Sequence, residues 1–255
     1  LLCFSSLFYN KENNQNIMKN YLITGGSSGI GQSVLESLID NAIIYNIDLN
    51  KPSQQHVHHN FIQADLSEYK KICTIIPTHI KFDGIFLNAG IHKSSNIFNH
   101  TLDEIENVMA INVMSNIAIL KSLENSINNG ASIVLNGSDQ CFIAKINSFA
   151  YAVSKGAISQ MTKSLAIDLA SRNIRVNAVC PSTTDTKLYR DAIKEYSKIS
   201  GISLDVIEHE EANCIPLKRI ATAQEVANVV LFLLSEKSTF MTGVLVPVDG
   251  GYTAQ

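Results

Sequence analysis

Tryptophan is absent from this sequence, only 5 of its 255 residues are proline, and it has no apolar run long enough to cross a bilayer. The opening stretch, Leu1 to Phe8, is apolar but too short to span, and no basic segment precedes it, so neither a membrane anchor nor a signal peptide is expected. Cysteine is sparse and unpatterned. Cys3, Cys73, Cys141, Cys180 and Cys214 are odd in number and form no C-x-x-C pair, which argues against a disulfide framework and for a reducing, cytoplasmic setting. Charge is also low, with 17% charged residues and a net charge of -3, so the chain lacks the basic footprint of a nucleic-acid binder. His56, His58 and His59 lie close together, but no nearby carboxylate or cysteine completes a tetrahedral set. They are expected in a solvated loop, and no metal is expected.

What is present is 45% hydrophobic residues in alternating strand and helix patterns, enough for one large core. Strands are expected over Met18–Thr24, Ala42–Asp48, Phe61–Asp65, Phe82–Gly90, Ala131–Ser138, Ile174–Pro181 and Gly243–Val248. Helices are expected after the first glycine cluster, over Leu102–Asn128, over Phe149–Arg172 and over Thr222–Ser235, the last opened by a Thr222–Glu225 capping box. Strands alternating with helices give an α/β class, a Rossmann-like doubly wound parallel sheet with helices on both faces. One domain is expected over residues 18–255, after an N-terminal extension of residues 1–17. The polar segment 186–215 is long for a connection and is expected to serve as a substrate loop or lid.

Two stretches carry chemistry. The first is Gly25-Gly26-Ser27-Ser28-Gly29-Ile30-Gly31, a glycine turn between the first strand and the first helix, where backbone N–H groups and the helix N-terminus can approach a pyrophosphate. Asp48, about 20 residues on at the end of the second strand, can accept both hydroxyls of an adenosine ribose and repels a 2′-phosphate. No basic residue occupies the turn, so NAD is expected rather than NADP, with Lys51 the nearest argument for the latter. Asp65, Leu66 and the run Asn88-Ala89-Gly90 end the next two strands and should lie on the same rim.

The second stretch is Ser138 to Lys155. On a helix, Tyr151 and Lys155 stand one turn apart on one face. A tyrosine titrates near ~10, but a lysine at ~4 Å in an effective dielectric of ~20 favours its phenolate by roughly 4 kcal/mol, about three pKa units. That would bring the phenol toward the range in which general acid–base chemistry works at neutral pH. Ser138 adds a hydroxyl for a carbonyl or alcohol oxygen. Asn112, in the middle of a helical pattern, competes for backbone hydrogen bonds and could organise a water beside the lysine through its side chain or a freed carbonyl. By position, His92, Lys93, Asp139, Gln140, Phe142, Lys145 and Tyr189 are candidates to line a substrate site. Lys145 would suit an anionic substrate.

In order along the chain, the glycine turn from Thr24 to Gly31, Asn88-Ala89-Gly90, Asn112, Ser138, Tyr151-x-x-x-Lys155, Pro181 and Val248-Asp249-Gly250-Gly251 resemble the short-chain dehydrogenase/reductase family in its compact single-domain branch. The likeness covers Lys19 to Tyr252. It implies an NAD(P)-dependent enzyme that interconverts a secondary alcohol and a ketone by hydride transfer. Tyr151 would be the acid/base, Ser138 would hold the substrate oxygen, Lys155 would bind the nicotinamide ribose, and Asn112 would support a proton relay. It further implies cofactor contacts from Gly25, Ser27, Ser28, Gly29, Ile30, Asp48, Asp65, Leu66, Asn88, Ala89, Gly90, Pro181, Thr184 and Thr186. Gln140, Lys145 and Tyr189 are expected toward the substrate, and a homotetramer is expected. The pattern departs at Ser182, where the family usually has glycine after the proline. The alternatives are a sugar-nucleotide epimerase or dehydratase, which generally carries an additional C-terminal substrate domain, and an NADPH-dependent 3-oxoacyl reductase.

Overall fold

A computed structural model describes residues 18–255, so the extension expected over residues 1–17 lies outside the described residues. Seven strands form one parallel sheet: β1 (Lys19–Thr24), β2 (Ala42–Asp48), β3 (His59–Gln63), β4 (Phe82–Leu87), β5 (Ile127–Asn136), β6 (Arg175–Pro181) and, last in the chain, β9 (Leu245–Val248). Their order is β3-β2-β1-β4-β5-β6-β9, with every pairing parallel. The two-residue strands β7 (Thr184–Asp185) and β8 (Ala221–Thr222) pair separately. The helices are α1 (Gly29–Leu38), α2 (Tyr69–Ile72), α3 (Leu102–Met109), α4 (Ser115–Ser122), α5 (Phe149–Asp168), α6 (Lys187–Ser200), α7 (Leu204–Cys214) and α8 (Ala223–Leu234).

The strands are buried on both faces because successive side chains feed two different cores. Leu22, Ile85, Leu87, Ile133 and Leu135 point to one side, with Ile119 of α4 and Ile158 and Ala166 of α5. Ile23, Phe86 and Val134 point to the other, with Val34 and Leu35 of α1 and Val226, Ala227 and Val230 of α8. Each such Leu, Ile, Val or Phe side chain contributes ~1.5–3 kcal/mol by leaving water, so the sheet centre is where stability concentrates. The expected capping box opens α8, and a second, Thr101–Glu104, opens α3.

Several expected boundaries differ: β4 ends at Leu87 rather than Gly90, α5 ends at Asp168 rather than Arg172, and the last strand starts at Leu245 rather than Gly243. The helical pattern from Leu102 breaks into α3, a π-helical turn at Ala110–Met114 and α4, and it stops at Ser122 rather than Asn128. Leu120, Leu123 and Ile127 continue a helical spacing, but Ile127 already pairs with Phe82 in β5, and Gly130 at φ 83° carries the chain into the strand. The third strand runs over His59–Gln63, two residues earlier than expected. His59 therefore sits in the sheet rather than in a solvated loop, and burial pushes its imidazole below the usual value. Segment 186–215 is a pair of helices, α6 and α7, joined across Gly201 in the left-handed region. Leu102 of α3 and Phe149, Val153 and Ile167 of α5 are exposed apolar side chains. No helix among the described residues is long and apolar enough to cross a membrane.

Candidate active site

All seven strands point the same way, so their carboxyl ends form one rim. The strand order reverses between β1 and β4, which opens a crevice there. Asn88, just past β4, closes the floor of this crevice. Its side chain donates to the carbonyls of Thr24 (3.1 Å) and Gly25 (3.0 Å), while Thr24 Oγ1 accepts the N–H groups of Asn88 (2.9 Å) and Ala89 (3.0 Å).

Beside it the glycine turn is drawn in by side chains of β2. Asn46 Oδ1 accepts the N–H of Gly26 at 2.9 Å, and its amide donates to Ser27 Oγ at 3.1 Å. Asp48 accepts the N–H of Ser27 at 2.9 Å through one oxygen and that of Asn50 at 2.9 Å through the other. Glycine is compulsory at Gly31, because a Cβ there would lie 2.1 Å from the Gly25 carbonyl oxygen. Among the described residues no side chain caps α1, and its first turn holds no acid, so its N–H groups remain available to an anion. These features fit a dinucleotide: an uncapped helix N-terminus for the pyrophosphate and a carboxylate at the end of β2 for a ribose.

The other cofactor candidates differ in what they can offer. Thr186, N-cap of α6, packs against the glycine turn, where a Cβ at Gly29 would lie 3.1 Å from its methyl carbon. Asp65 caps the short turn Leu66–Glu68 through the N–H of Ser67, and Leu66 is buried in the core, leaving only its backbone to face a ligand. Ser182 lies outside the positive-φ residues, so the backbone after Pro181 accepts a side chain where glycine was expected. Thr184 Oγ1 donates to the Ser182 carbonyl at 2.9 Å.

Past the end of β5, the chain turns through Ser138 into the 3-10 turn Asp139–Cys141, then returns in α5 with Tyr151 and Lys155 in its first two turns. Lys155 is 4% exposed and donates to the Asn136 carbonyl at 2.7 Å, and its ammonium lies 5.3 Å from the centroid of the Tyr151 ring. Burial lowers its pKa to about 8. Tyr151 corrects one expectation: its phenol is pushed above, not below, the ordinary value. Burial is the chief cause, and the neighbouring Asp139 adds to it while the Ser138 hydroxyl opposes it. The lysine meant to favour the phenolate is itself weakened by the same burial.

Asn112 sits in the π-helical turn. Its Oδ1 accepts the Ile91 N–H at 2.8 Å, and its Nδ2 donates to the Ile91 carbonyl and to Ser154 Oγ, both at 3.0 Å. The side chain is thus committed to pinning the segment after Gly90 onto α5, and its backbone carbonyl accepts from Asn116 at 2.9 Å. Of the residues proposed toward the substrate, Gln140 is 8% exposed, and its Oε1 has no hydrogen-bond partner among the described residues. Tyr189 carries a buried hydroxyl likewise without a partner, and its phenol is raised to about 12 by burial. Lys93 reaches Glu104 and Glu195, each at 3.8 Å, so it ties the site's edge to α6.

Sequence position marked His92 toward the substrate but not its contact with Tyr151, and it passed over Tyr252, Asn46 and Asn136. His92 stacks edge-on against Tyr151, with centroids 4.9 Å apart, and its Nε2 lies 3.2 Å from Ser148 Oγ. Burial, and after it the Lys145 ammonium, lowers its pKa. Tyr252, delivered by an Asp249-centred turn, lies under the ammonium of Lys145, 4.7 Å from ring centroid to nitrogen. Asn46 and Asn136 had no motif to mark them, and Thr24 opened the glycine turn without a stated task, because their work is to hold backbone groups that only the folded chain brings together.

Comparison with known proteins agrees with this geometry. The family model described as enoyl-(acyl carrier protein) reductase matches residues 42–253. The crystal structure of a short chain dehydrogenase family protein from Francisella tularensis subsp. tularensis SCHU S4 is 54% identical and superposes with a TM-score of 0.90, covering 93% of this chain and 100% of that one. Glucose 1-dehydrogenase of Gluconobacter oxydans is 29% identical, spanning 92% of both chains. The 3-oxoacyl-(acyl-carrier-protein) reductase FabG of Chlamydia pneumoniae is 32% identical, over 92% of this chain and 97% of its own. With a parallel sheet, a glycine cradle and a Ser–Tyr–Lys corner all on one rim, the chain belongs to the short-chain dehydrogenase/reductase family, whose members are NAD(P)-dependent oxidoreductases acting on CH–OH groups.

Proposed function

We propose that the protein is an NAD(H)-dependent dehydrogenase that interconverts a secondary alcohol and a ketone, with Tyr151 moving the proton. The observation that carries this reading is the meeting of Tyr151, Ser138 and Lys155 at the carboxyl end of β5, with the Lys155 ammonium 5.3 Å from the phenol ring. Gly25, Ser27, Ser28, Gly29 and Ile30 would hold the pyrophosphate and Asp48 the adenosine ribose. Asn88 to Gly90, Pro181, Thr184 and Thr186 would flank the rest of the nucleotide. When bound, the cofactor supplies the hydride acceptor or donor.

The chain's own residues then have separable tasks. Tyr151 gives its phenolic proton to a carbonyl oxygen in reduction and, once it has released that proton and is ionised, receives the alcohol proton in oxidation. Lys155 offsets the charge left on Tyr151, at close range and low dielectric. Ser138 faces the same oxygen and fixes its position, while Asn112 keeps the loop after Gly90 seated on α5. His92, stacked on Tyr151, excludes water from one side of the phenol. The preference for NAD rests on the Asp48 carboxylate and on a turn with no cation to receive a 2′-phosphate.

The test is a screen of secondary alcohols, sugars and hydroxy acids against NAD+ and NADP+, read as reduced-cofactor absorbance. The expected result is turnover with NAD+. Tyr151→Phe should lose it by roughly 100- to 10,000-fold, the usual worth of a general acid–base group, while still binding NADH. Turnover unaffected in Tyr151→Phe sinks the assignment, and a preference for NADP+ sinks the choice of cofactor.

A further inference from the structure

We propose that Asp139, held by Lys145, is a positioning residue that commits the Ser138 hydroxyl proton and so makes the resting site fit an alcohol better than the corresponding ketone. This rests on the alcohol/ketone reading above and assigns a task that the Ser–Tyr–Lys set does not contain.

Asp139 is 2% exposed and directly follows Ser138. A carboxylate buried this far persists only with a counter-charge and hydrogen bonds. Lys145 supplies the charge: its ammonium lies 2.7 Å from Asp139 Oδ2, set off the axis of a hydrogen bond, so the contact is an ion pair. The ring of Tyr252 faces the same ammonium, 4.7 Å from its centroid. The cation offered by sequence to an anionic substrate is thus engaged by the protein itself.

The second carboxylate oxygen, Oδ1, takes the Ser138 hydroxyl at 2.7 Å. Paired with an ammonium, the carboxylate can only accept, so the single hydroxyl hydrogen of Ser138 must point at it. A hydroxyl has two lone pairs, and one already accepts the Gln140 N–H at 3.2 Å. In the resting site Ser138 is left with one acceptor, and its hydrogen reaches any other group, the ionised Tyr151 included, only by leaving Asp139. Tyr151, its phenol raised by burial, keeps its proton at neutral pH and is a donor. A donor beside an acceptor matches a hydroxyl group, which can accept from Tyr151 and donate to Ser138. A ketone only accepts, and it must first pull Ser138 away from Asp139.

Asp139→Asn reverses the arrangement at nearly constant shape. Its amide oxygen turns to the Lys145 ammonium, its N–H group takes the free lone pair of Ser138, and the Ser138 hydrogen is released into the site. The measurement is the inhibition constant of dead-end complexes: the alcohol with enzyme and reduced cofactor, and the ketone with enzyme and oxidised cofactor, using the best alcohol/ketone pair found in the screen. The ketone-to-alcohol ratio of these constants should fall about tenfold in Asp139→Asn, the effect of roughly one hydrogen bond gained and one lost. In a Ser138→Ala background the same substitution should leave the ratio unchanged, since Asp139 acts through that hydroxyl. Lys145→Arg keeps the charge and should keep the wild-type ratio.

A ratio unchanged by Asp139→Asn, or shifted equally with and without Ser138, overturns the proposal. Asp139→Ala, which also frees the hydroxyl, gives the same comparison if the amide variant melts without cooperativity. A wild type that oxidises no alcohol overturns the functional reading and this assignment with it, whereas established turnover with an unmoved ratio removes Asp139 alone.

Discussion

The two halves of the rim solve opposite problems. On the β1–β2 side, the site is made by taking side chains away: Gly25 and Gly29 adopt positive φ, Gly31 leaves no room for a Cβ, and α1 presents an uncapped first turn. Its polar side chains, Asn46 and Asp48, are spent on backbone N–H groups. On the β5–α5 side, the site is made by packing ionisable groups together. Buried Lys155, Asp139 and Cys180 and half-buried Tyr151 and Cys141 crowd one corner, the proximity of Cys180 lowers the pKa of the Cys141 thiol, and Cys141 donates to the Lys155 carbonyl at 3.3 Å. Two buried acceptors there, Asn136 Oδ1 and Gln140 Oε1, lack partners among the described residues. The first half is a shape and the second is a set of proton positions, so substitutions in the two should fail in different ways.

After loss of the Tyr151 hydroxyl, the largest effect expected is at Lys155. Lys155→Met should cut turnover at least ~100-fold, because the charge that offsets Tyr151 is gone. It should also stabilise the fold. A lysine whose pKa falls from 10.5 to about 8 on folding carries a cost of order 3 kcal/mol as an ammonium at neutral pH. Loss of its bond to the Asn136 carbonyl returns part of that, for a net gain of ~1–2 kcal/mol. Between about 8 and 10 the unfolded chain holds the lysine proton and the folded protein does not, so this group makes wild-type stability rise with pH. Above ~10 the raised phenol of Tyr151 works in the opposite sense. Urea melts at pH 7 and 9.5 should therefore converge for wild type and variant as pH rises. A variant less stable than wild type at both values would show that Lys155 is held by attraction rather than against burial.

The cradle should break by sterics instead. Gly31→Ala places a methyl group 2.1 Å from the Gly25 carbonyl oxygen and 2.6 Å from Asn88 Nδ2, and the first of these is backbone, which cannot swing aside. The turn must open, and NADH affinity should fall by roughly 10- to 100-fold with ~1–3 kcal/mol of stability lost, the range seen for overpacking. The pH dependence of whatever turnover remains should be unchanged. If the profile moves with the affinity, the two halves are coupled and the contrast between them is wrong.

This contrast also explains which features were legible in the sequence. The parallel sheet, the glycine turn, Asp48 and the Ser138–Tyr151–Lys155 spacing were readable because each is set by local periodicity or by residue types with special backbone or acid–base behaviour. The helix broken at Asn112 was not, since a π-turn leaves the apolar spacing of Ile105, Met109 and Val113 intact while rotating the helical residues beyond it. The strand start at Ile127 was hidden because Leu120, Leu123 and Ile127 fit a helix equally well. The direction of the Tyr151 shift was missed for a different reason. The Tyr–Lys spacing reveals the attraction between the two groups, but the burial that outweighs it is a property of the packed corner. Asp139 and Lys145 were visible as neighbours of the site, whereas their pairing with each other required the loop to close.

The smallest effect, and the one that sharpens the contrast most, is at Asp48, the carboxylate that ends β2 in the shape-built half. Its two oxygens brace Ser27 and Asn50 at 2.9 Å each, yet each oxygen retains a lone pair, so the same carboxylate can brace the turn and accept ribose hydroxyls. A 2′-phosphate would meet that charge at close range, and the turn itself holds no cation, Lys51 being the nearest, three residues beyond. Asp48→Ala removes both the hydrogen bonds and the repulsion. NADH affinity should fall about tenfold while NADPH affinity changes little, so the preference narrows without inverting. The protein has no tryptophan, and enhancement of nicotinamide fluorescence on binding reads both constants without overlapping indole emission. Because Asp48 touches no residue of the acid–base corner, the turnover of the cofactor-saturated variant should stay near wild type. A wild type that binds NADPH more tightly than NADH would remove the carboxylate as the discriminating group, and a large fall in saturated turnover would place it in the corner's chemistry after all.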